Sequence, residues 1–556
     1  MASSTSQPQA DTLIRAGTIE TLQSGMPPQR SIALLSGRVI ALSEDPSGLD
    51  DFIGSETQII DVPDSTVLPA FTDTHTHLIL AGLTYFDVPV HDVKSLDELF
   101  TRLKKRASET KEGEWICTAT DWLEYNIKEQ RLPTLKELDA VSTKHPIMVM
   151  RGGHNVVVNS VVANLLNVTR DTPSPPGGLI GKEADGSLSG LFQDSATIPI
   201  LKLKPSTTLS ERISGLEAAS AAYAATGTSS VRDCYVPLAD LDALIATHSA
   251  GKLAVRVHAL IPAVGMTSAS QVETLLTKME SYRHLQRDPY LSVWGVKFMV
   301  DGGMEAGAVS SPYLSIPPGR EKDANCNCCG LPSYHGMLTW EKPALVDAMT
   351  AVVRRGWKIG THAYGDRAVK LVLDVYEELM QRFPYLQPGT LVMEHGGLVS
   401  PAEQVRAVKL GIATTIQHPL LHNAAGVQEV YWGTDRVSRT FPARTWLDAG
   451  ALIAGGSDYP VGSFAAMRSV WGMASRETVI GVRGVEHKIT VAEAVALHTT
   501  KAAELLREEG ERGRLLPGFV ADLAVWGVNP LKVDELEVLK DMMPSHISVG
   551  KKFVAL

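Results

Sequence analysis

The amino-acid sequence predicts an α/β protein built on a (β/α)8 barrel of the TIM type, with a small sheet domain assembled from both chain ends. Three observations predict it. Eight short apolar runs rich in β-branched residues recur through the middle of the chain, and longer helix-like stretches separate most of them. The two ends share a different texture of short strands and turns. Six of the eight runs carry histidine, lysine or aspartate at or near the end where a barrel gathers side chains around one cavity. A doubly wound open sheet is the competing arrangement, because alternation alone does not separate the two.

Taken in order, residues 1–10 are polar and are expected to be disordered. From about Thr12 to Pro69 short apolar segments (SIALLSGRVIAL, TQIIDV) alternate with Gly, Asp, Pro and Ser. The same texture returns in GRLLPGFVADLAVW and HISVGKKFVAL, so residues 1–66 and 506–556 are expected to form one composite β domain. Residues 67–505 are assigned to the barrel. Its runs are VLPAFTDTHTH, SSVRDC, LAVRVHALI, SVWGVKFMVDG, WKIGTHAY, TLVMEHG, GIATTIQ and ALIAGGSD. Stretches such as RAVKLVLDVYEELMQRF have the apolar spacing of a helix. The gap from His77 to Ser229 is too long for one crossover. It contains SLDELFTRLKKRASET, the strand-like EWICTAT and PIMVMRG, and a turn at PSPPGG. An insertion over about 100–205, placed after the first barrel strand and above the mouth, accounts for it.

Composition narrows the function classes. The chain has 556 residues, 44% hydrophobic and 21% charged, with a formal net charge of -10. A mild acidic excess without a Lys/Arg-rich stretch argues against nucleic acid or an anionic membrane as partner. The start, MASSTSQPQADTLIRAG, lacks the apolar core of a signal peptide, and no apolar run approaches the ~20 residues that span a bilayer. A cytoplasmic protein acting on a small molecule is expected. Five cysteines, three of them in ANCNCCG (Cys326, Cys328, Cys329), do not suggest a disulfide framework. Their spacing does not match the usual C-x2-C metal pairs.

The strand ends carry the chemistry. The first ends in His75-Thr76-His77, and residues i and i+2 of a strand share a face about 7 Å apart. That arrangement suits two nitrogens closing on one ion at roughly 2.0–2.1 Å. WKIGTHAYGD ends in His362, TLVMEHGG in His395 and ALIAGGSDYP in Asp458. Lys297 stands in the middle of the apolar run SVWGVKFMVDG, where an unpaired ammonium costs several kcal/mol. Carboxylation of its amine by carbon dioxide is one solution, turning a cation into an anionic bidentate ligand. Chance does not readily supply all six residues at strand ends.

LPAFTDTHTHL, GTSSVRD, GVKFMVDGG, GTHAYGDRAV, VMEHGG, GGSDYPV, ALHTTKAAELL and GRLLPGFVADLAVW together resemble the metal-dependent amidohydrolase superfamily. The likeness is to its amidohydrolase 3 branch, which includes N-substituted formamide deformylase-like proteins, and it runs nearly the whole chain. It implies a barrel flanked by a β-sandwich from the two termini. It also implies one divalent metal on His75, His77 and Asp458, a second on His362 and His395, and carboxylated Lys297 bridging them. Zinc is the family's usual metal, imidazole and carboxylate ligands suit it, and one ion or two remain open. The implied reaction is hydrolysis of an amide-like C–N bond by metal-activated water. Asp458 would accept the water's proton and pass it to the leaving nitrogen. A dimer or tetramer is common in the family.

Secondary candidates for substrate contact are His154 in MRGGHNVVVNS, His258 in VRVHALI, Trp122 and Tyr313. Asp366 is expected to cap the helix after His362 rather than to react. The loop GGMEAGAVSSPYLSIPPGREKDANCNCCGLPSYHGML follows the Lys297 run and should lie over the metals. It lacks the Arg of the branch's Gly-Ser-Arg-Thr-Ala-like run, which removes a substrate anchor that the resemblance would otherwise supply. Decarboxylation, lactone or ester hydrolysis, and a scaffold without catalysis are the alternatives, because the superfamily includes such members.

Overall fold

The computed structural model describes residues 8–120, 122–152, 155–175, 178–317, 320, 325–326 and 332–556. The eight apolar runs become eight parallel strands in one sheet: Phe71–Thr76, Thr228–Asp233, Arg256–Pro262, Leu291–Met299, Lys358–Ala363, Leu391–His395, Ala413–Ile416 and Ile453–Gly455. Each pairs with its neighbour in chain order. The last strand returns to the first through Thr74 Oγ1, which donates to the Gly455 carbonyl at 2.9 Å. The Asp458 N–H donates to the His75 carbonyl at 2.8 Å, just beyond. This is the barrel that the alternation predicts, not the open sheet.

The helices hold the barrel by burying one stripe each. In Asp366–Arg382 the buried side chains are Ala368, Val369, Val372, Leu373, Val375, Tyr376 and Leu379, the spacing of a single helical face. Each large one contributes roughly 1.5–3 kcal/mol by leaving water. Tyr376 also fixes the helix to its strands, its hydroxyl donating to the Val392 carbonyl (2.9 Å) and sharing a hydrogen bond with the Thr361 hydroxyl (2.6 Å).

The chain ends form one continuous seven-stranded sheet. Its order is Lys552–Ala555, Pro544–Val549, Leu523–Trp526, Gln58–Pro69, Thr12–Ile19, Gln29–Leu35 and Arg38–Ser43. Apolar cores lie on both faces, one around Ile14, Ile32 and Leu523, the other around Leu13 and Ala33. Residues Val67–Pro69, which open the first apolar run, belong to this sheet. The chain passes to the barrel at Ala70, whose N–H meets the Asp522 carbonyl at 3.0 Å.

A separate five-stranded sheet interrupts the barrel after its first strand. Its order is Ile116–Cys117, Ile147–Arg151, Asn155–Val158, Leu188–Asp194 and Gly178–Lys182, and EWICTAT and PIMVMRG supply two of its strands. It has apolar clusters of its own, around Leu99, Ile147 and Val149 and around Met148, Val156 and Phe192. Among the described residues no helix is long and apolar enough to cross a membrane.

Candidate metal centre

The barrel brings the strand-end residues together. His75 is the next-to-last residue of the first strand, Phe71–Thr76, and His77 follows the strand, immediately before helix Leu78–Thr84. Asp458 lies in the turn after the last strand. His77 Nε2 stands 3.1 Å from Asp458 Oδ1, and His75 Nε2 stands 3.4 Å from the same oxygen. One ligand atom from each of these three residues falls within 4.8 Å of the others. The ring of His395 lies 4.5 Å from those of both His75 and His362, centroid to centroid. Lys297 is buried in its strand, and its charge bears on His75, His362 and His395. All six residues therefore share one neighbourhood at the barrel mouth.

Two of them are held in backbone conformations that side chains rarely adopt. His395 has φ 72° and Asp458 φ 54°. Such positions cost on the order of 1–3 kcal/mol and persist where surrounding structure imposes them. Here the imposed contact is the Asp458 N–H bond to His75. Gly456, in GGSD, is required for the same approach, since a side-chain carbon there would lie 2.7 Å from the His75 nitrogen.

Behind the ligand set lies a chain of buried polar contacts that sequence reasoning missed. His75 Nδ1 meets Glu394 Oε2 at 2.7 Å, and Glu394 Oε1 accepts from Arg232 Nη2 at 2.6 Å. Thr415 Oγ1 donates to Glu394 Oε2 at 2.7 Å. Glu394 and Arg232 are fully buried, and the guanidinium stacks over Trp294 at 4.1 Å. An Nδ1–H donated to Glu394 leaves His75 Nε2 bare toward Asp458, the orientation that a metal-binding imidazole needs. His395 repeats the device with Gln417, whose Oε1 lies 2.8 Å from its Nδ1. Gly360 makes room for the ion pair: a side-chain carbon there would fall 2.4 Å from Glu394 Oε1 and 2.8 Å from Arg232 Nη2.

The electrostatics favour a cation. Burial opposes protonation of His75, yet the nearby Cys234 and the Glu394 and Asp458 carboxylates outweigh it and raise its pKa well above the ordinary value. Positive charge, as proton or metal, is therefore stabilised at that point. Burial and the Lys297 charge hold His362 down to about 3, and burial with neighbouring imidazoles holds His395 low, so both are neutral and able to ligate. Burial alone would raise Asp458, but hydrogen bonds from His75 and His77 hold it far below the usual carboxylate range. His77 Nδ1 is buried without a hydrogen-bond partner among the described residues. A donor set of imidazole nitrogens and a carboxylate fits a divalent cation of zinc type.

The loop after the Lys297 strand is fastened here by Asp301. Its carboxylate accepts N–H bonds from Ala308 (2.9 Å), Tyr364 (3.0 Å) and Gly365 (2.9 Å), and burial pushes its pKa up to about 7. Its Oδ1 is also 3.4 Å from His362 Nε2, which faces the Gly302 carbonyl at 3.3 Å. Asp301→Ala would strand three buried N–H groups. The expected loss of stability is on the order of 3 kcal/mol, read as a lower unfolding midpoint in a denaturant titration.

The secondary candidates divide. Trp122 donates from Nε1 to the Met150 carbonyl (2.6 Å) and lines a cleft of about 500 Å³ between the insertion and the barrel. His258 is a correction. It does not line the mouth: its Nδ1 bonds Ser292 Oγ at 2.8 Å, and Glu508 lies 3.8 Å from its Nε2. The register pairs His258 with Ser292 and Pro262 with Lys297, so His258 lies four residues below the metal level, toward the opposite end of the barrel. Tyr313 is held within its own loop. Its buried hydroxyl bonds the Gly307 and Met304 carbonyls, 2.9 and 3.2 Å away, and so folds the loop. Asp366 does not cap its helix. It is the first helical residue, after Gly365, and accepts from the Ser310 N–H at 2.7 Å. His154, Cys328 and Cys329 lie outside the described residues.

An imidazole–carboxylate cluster thus stands at the mouth of an eight-stranded parallel barrel, where it could hold a metal ion. The Amidohydrolase family model (Amidohydro_3) matches residues 58–548, and the chain belongs to that family. It is a hydrolase. Among curated relatives, Protein LONG AFTER FAR-RED 3 of Arabidopsis thaliana is 26% identical over 98% of this chain and 91% of its own length. The N-substituted formamide deformylase of Arthrobacter pascens is 24% identical over 91% of this chain and 92% of its own. An uncharacterized metal-dependent hydrolase from Pyrococcus furiosus superposes with a TM-score of 0.71 at 24% identity, covering 94% of this chain and all of that one.

Proposed function

We propose that this protein hydrolyses a non-peptide C–N bond, of amide, N-acyl or N-formyl type, in a small molecule at a zinc centre. One observation carries the reading: donor atoms of His75, His77 and Asp458, from opposite ends of the barrel sequence, lie within 4.8 Å of one another. The ligands would be those three with His362, His395 and Lys297, the last N-carboxylated. Its burial among imidazoles supports that assignment, because an anionic carbamate suits such a site where an ammonium does not. Zinc, when bound, supplies Lewis acidity, lowering the pKa of water and polarising a carbonyl. The chain's own residues do the rest. Asp458 Oδ1, ionised and shared between two imidazoles, takes the proton from the attacking water and returns it to the departing nitrogen. Glu394 and Gln417 hold the imidazoles of His75 and His395 in the orientation that leaves one nitrogen of each bare. Asp301 holds the mouth loop closed against His362. The likeness to a formamide deformylase supports the choice of bond.

Elemental analysis joined to product analysis tests this. With N-formyl and N-acyl amines, amides and lactones as candidates, release of amine and carboxylate is expected. Chelation should abolish that turnover and zinc should restore it. Turnover of lactones alone, or release of carbon dioxide, would contradict the assignment of the bond.

A further inference from the structure

The cleft that Trp122 lines carries an uneven charge. Among its described wall residues there is no carboxylate, whereas Lys94 and Lys128 stand together on the insertion side and Arg468 on the barrel side. The Lys128 N–H donates to the Lys94 carbonyl at 2.9 Å, so the backbone fixes the two lysines as neighbours. Among the described residues neither ammonium makes an ion pair, while Arg468 reaches an exposed Asp541 at 3.0 Å. Deeper in, the Thr120 hydroxyl is buried with no hydrogen-bond partner among the described residues, and so is the Asn126 side-chain oxygen. Thr120 is only 2% exposed. Buried hydroxyls are ordinarily paired, so an unpartnered one on a cavity wall marks where a ligand atom belongs. The cleft also reaches the metal centre's edge, because Val461 lines it and donates its N–H to the Asp458 carbonyl at 2.9 Å.

We propose that this cleft binds an anionic group, carboxylate or phosphate, carried by the substrate at a distance from the bond that is cleaved. The lysines supply two positive charges that, among the described residues, are in no ion pair, although the Glu98 carboxylate accepts the Lys94 backbone N–H at 2.9 Å. Thr120 donates to the anion or its immediate neighbour. The volume, about 500 Å³, admits a substituent of several heavy atoms. The substrate is then an acidic amide rather than a neutral one. That last step rests on the hydrolase reading above; the anion site does not.

Calorimetric titration of the zinc-loaded protein tests the proposal with three probes: glutarate, inorganic phosphate and the uncharged glutaramide. The wild-type protein should bind at least one anion and not the diamide. Lys94→Gln/Lys128→Gln should weaken that binding by at least about tenfold, with bound zinc unchanged, and Thr120→Val should weaken it independently. Which anion binds names the source. Binding that survives the double lysine substitution would place the anion on the metal and overturn the proposal, as would equal binding of the diamide or no anion binding at all. If the anion binds through the lysines but no C–N bond is cleaved, the hydrolase reading fails while the site stands.

Discussion

Asp458→Asn is expected to lower kcat by about 10²–10⁴-fold from the loss of general acid–base transfer alone. An amide cannot take the proton that the carboxylate takes at neutral pH, and it is a poorer partner for the imidazoles of His75 and His77, 3.4 and 3.1 Å away. The substitution is nearly isosteric, so the left-handed turn at φ 54° should survive, a conformation that Asn tolerates well. Folding is therefore expected to change little while turnover collapses. Measuring kcat, bound zinc and the unfolding midpoint on one preparation separates the outcomes. Unchanged kcat would remove Asp458 from the chemistry.

The second large effect falls on stability and metal retention together. Glu394 lies between Arg232 and His75 with no access to solvent. Glu394→Ala leaves the Arg232 guanidinium buried and unpaired, and breaking such a pair costs about 3–5 kcal/mol. It also frees the His75 ring, so zinc should dissociate 10–100-fold more readily, as when a partner behind a metal ligand is lost. Glu394→Gln separates the two roles. It retains the shape and one acceptor, so it should keep more of the stability while still weakening zinc retention. A zinc dissociation constant for Glu394→Gln equal to that of the wild type would deny Glu394 its orienting role, whatever the variant's activity.

Much of this was legible in the sequence. All eight barrel strands stand in the eight apolar runs, since parallel strands buried on both faces must read as short β-branched stretches. The strand-end residues followed from the barrel itself, which converges whatever those positions carry. Arg232 and Glu394 were visible in GTSSVRD and VMEHGG only as charges inside apolar runs. Their meaning depends on a pairing across 162 residues that no local pattern specifies. His258 shows the converse difficulty. Its strand reads like the others, but a histidine near the start of a strand belongs to the far end of the barrel, and only the register with Ser292 fixes that. Tyr313 was placed by its loop, whereas its hydroxyl is bound within that loop.

The central claim is that these scattered side chains close on one cation. X-ray diffraction from zinc-loaded crystals, recorded on both sides of the zinc absorption edge, tests it most directly. The expected result is an anomalous peak at about 2.0–2.1 Å from the nitrogens of His75 and His77, with Asp458 completing the set. A fully folded protein with no peak at that point, or with zinc held elsewhere on the chain, would contradict it.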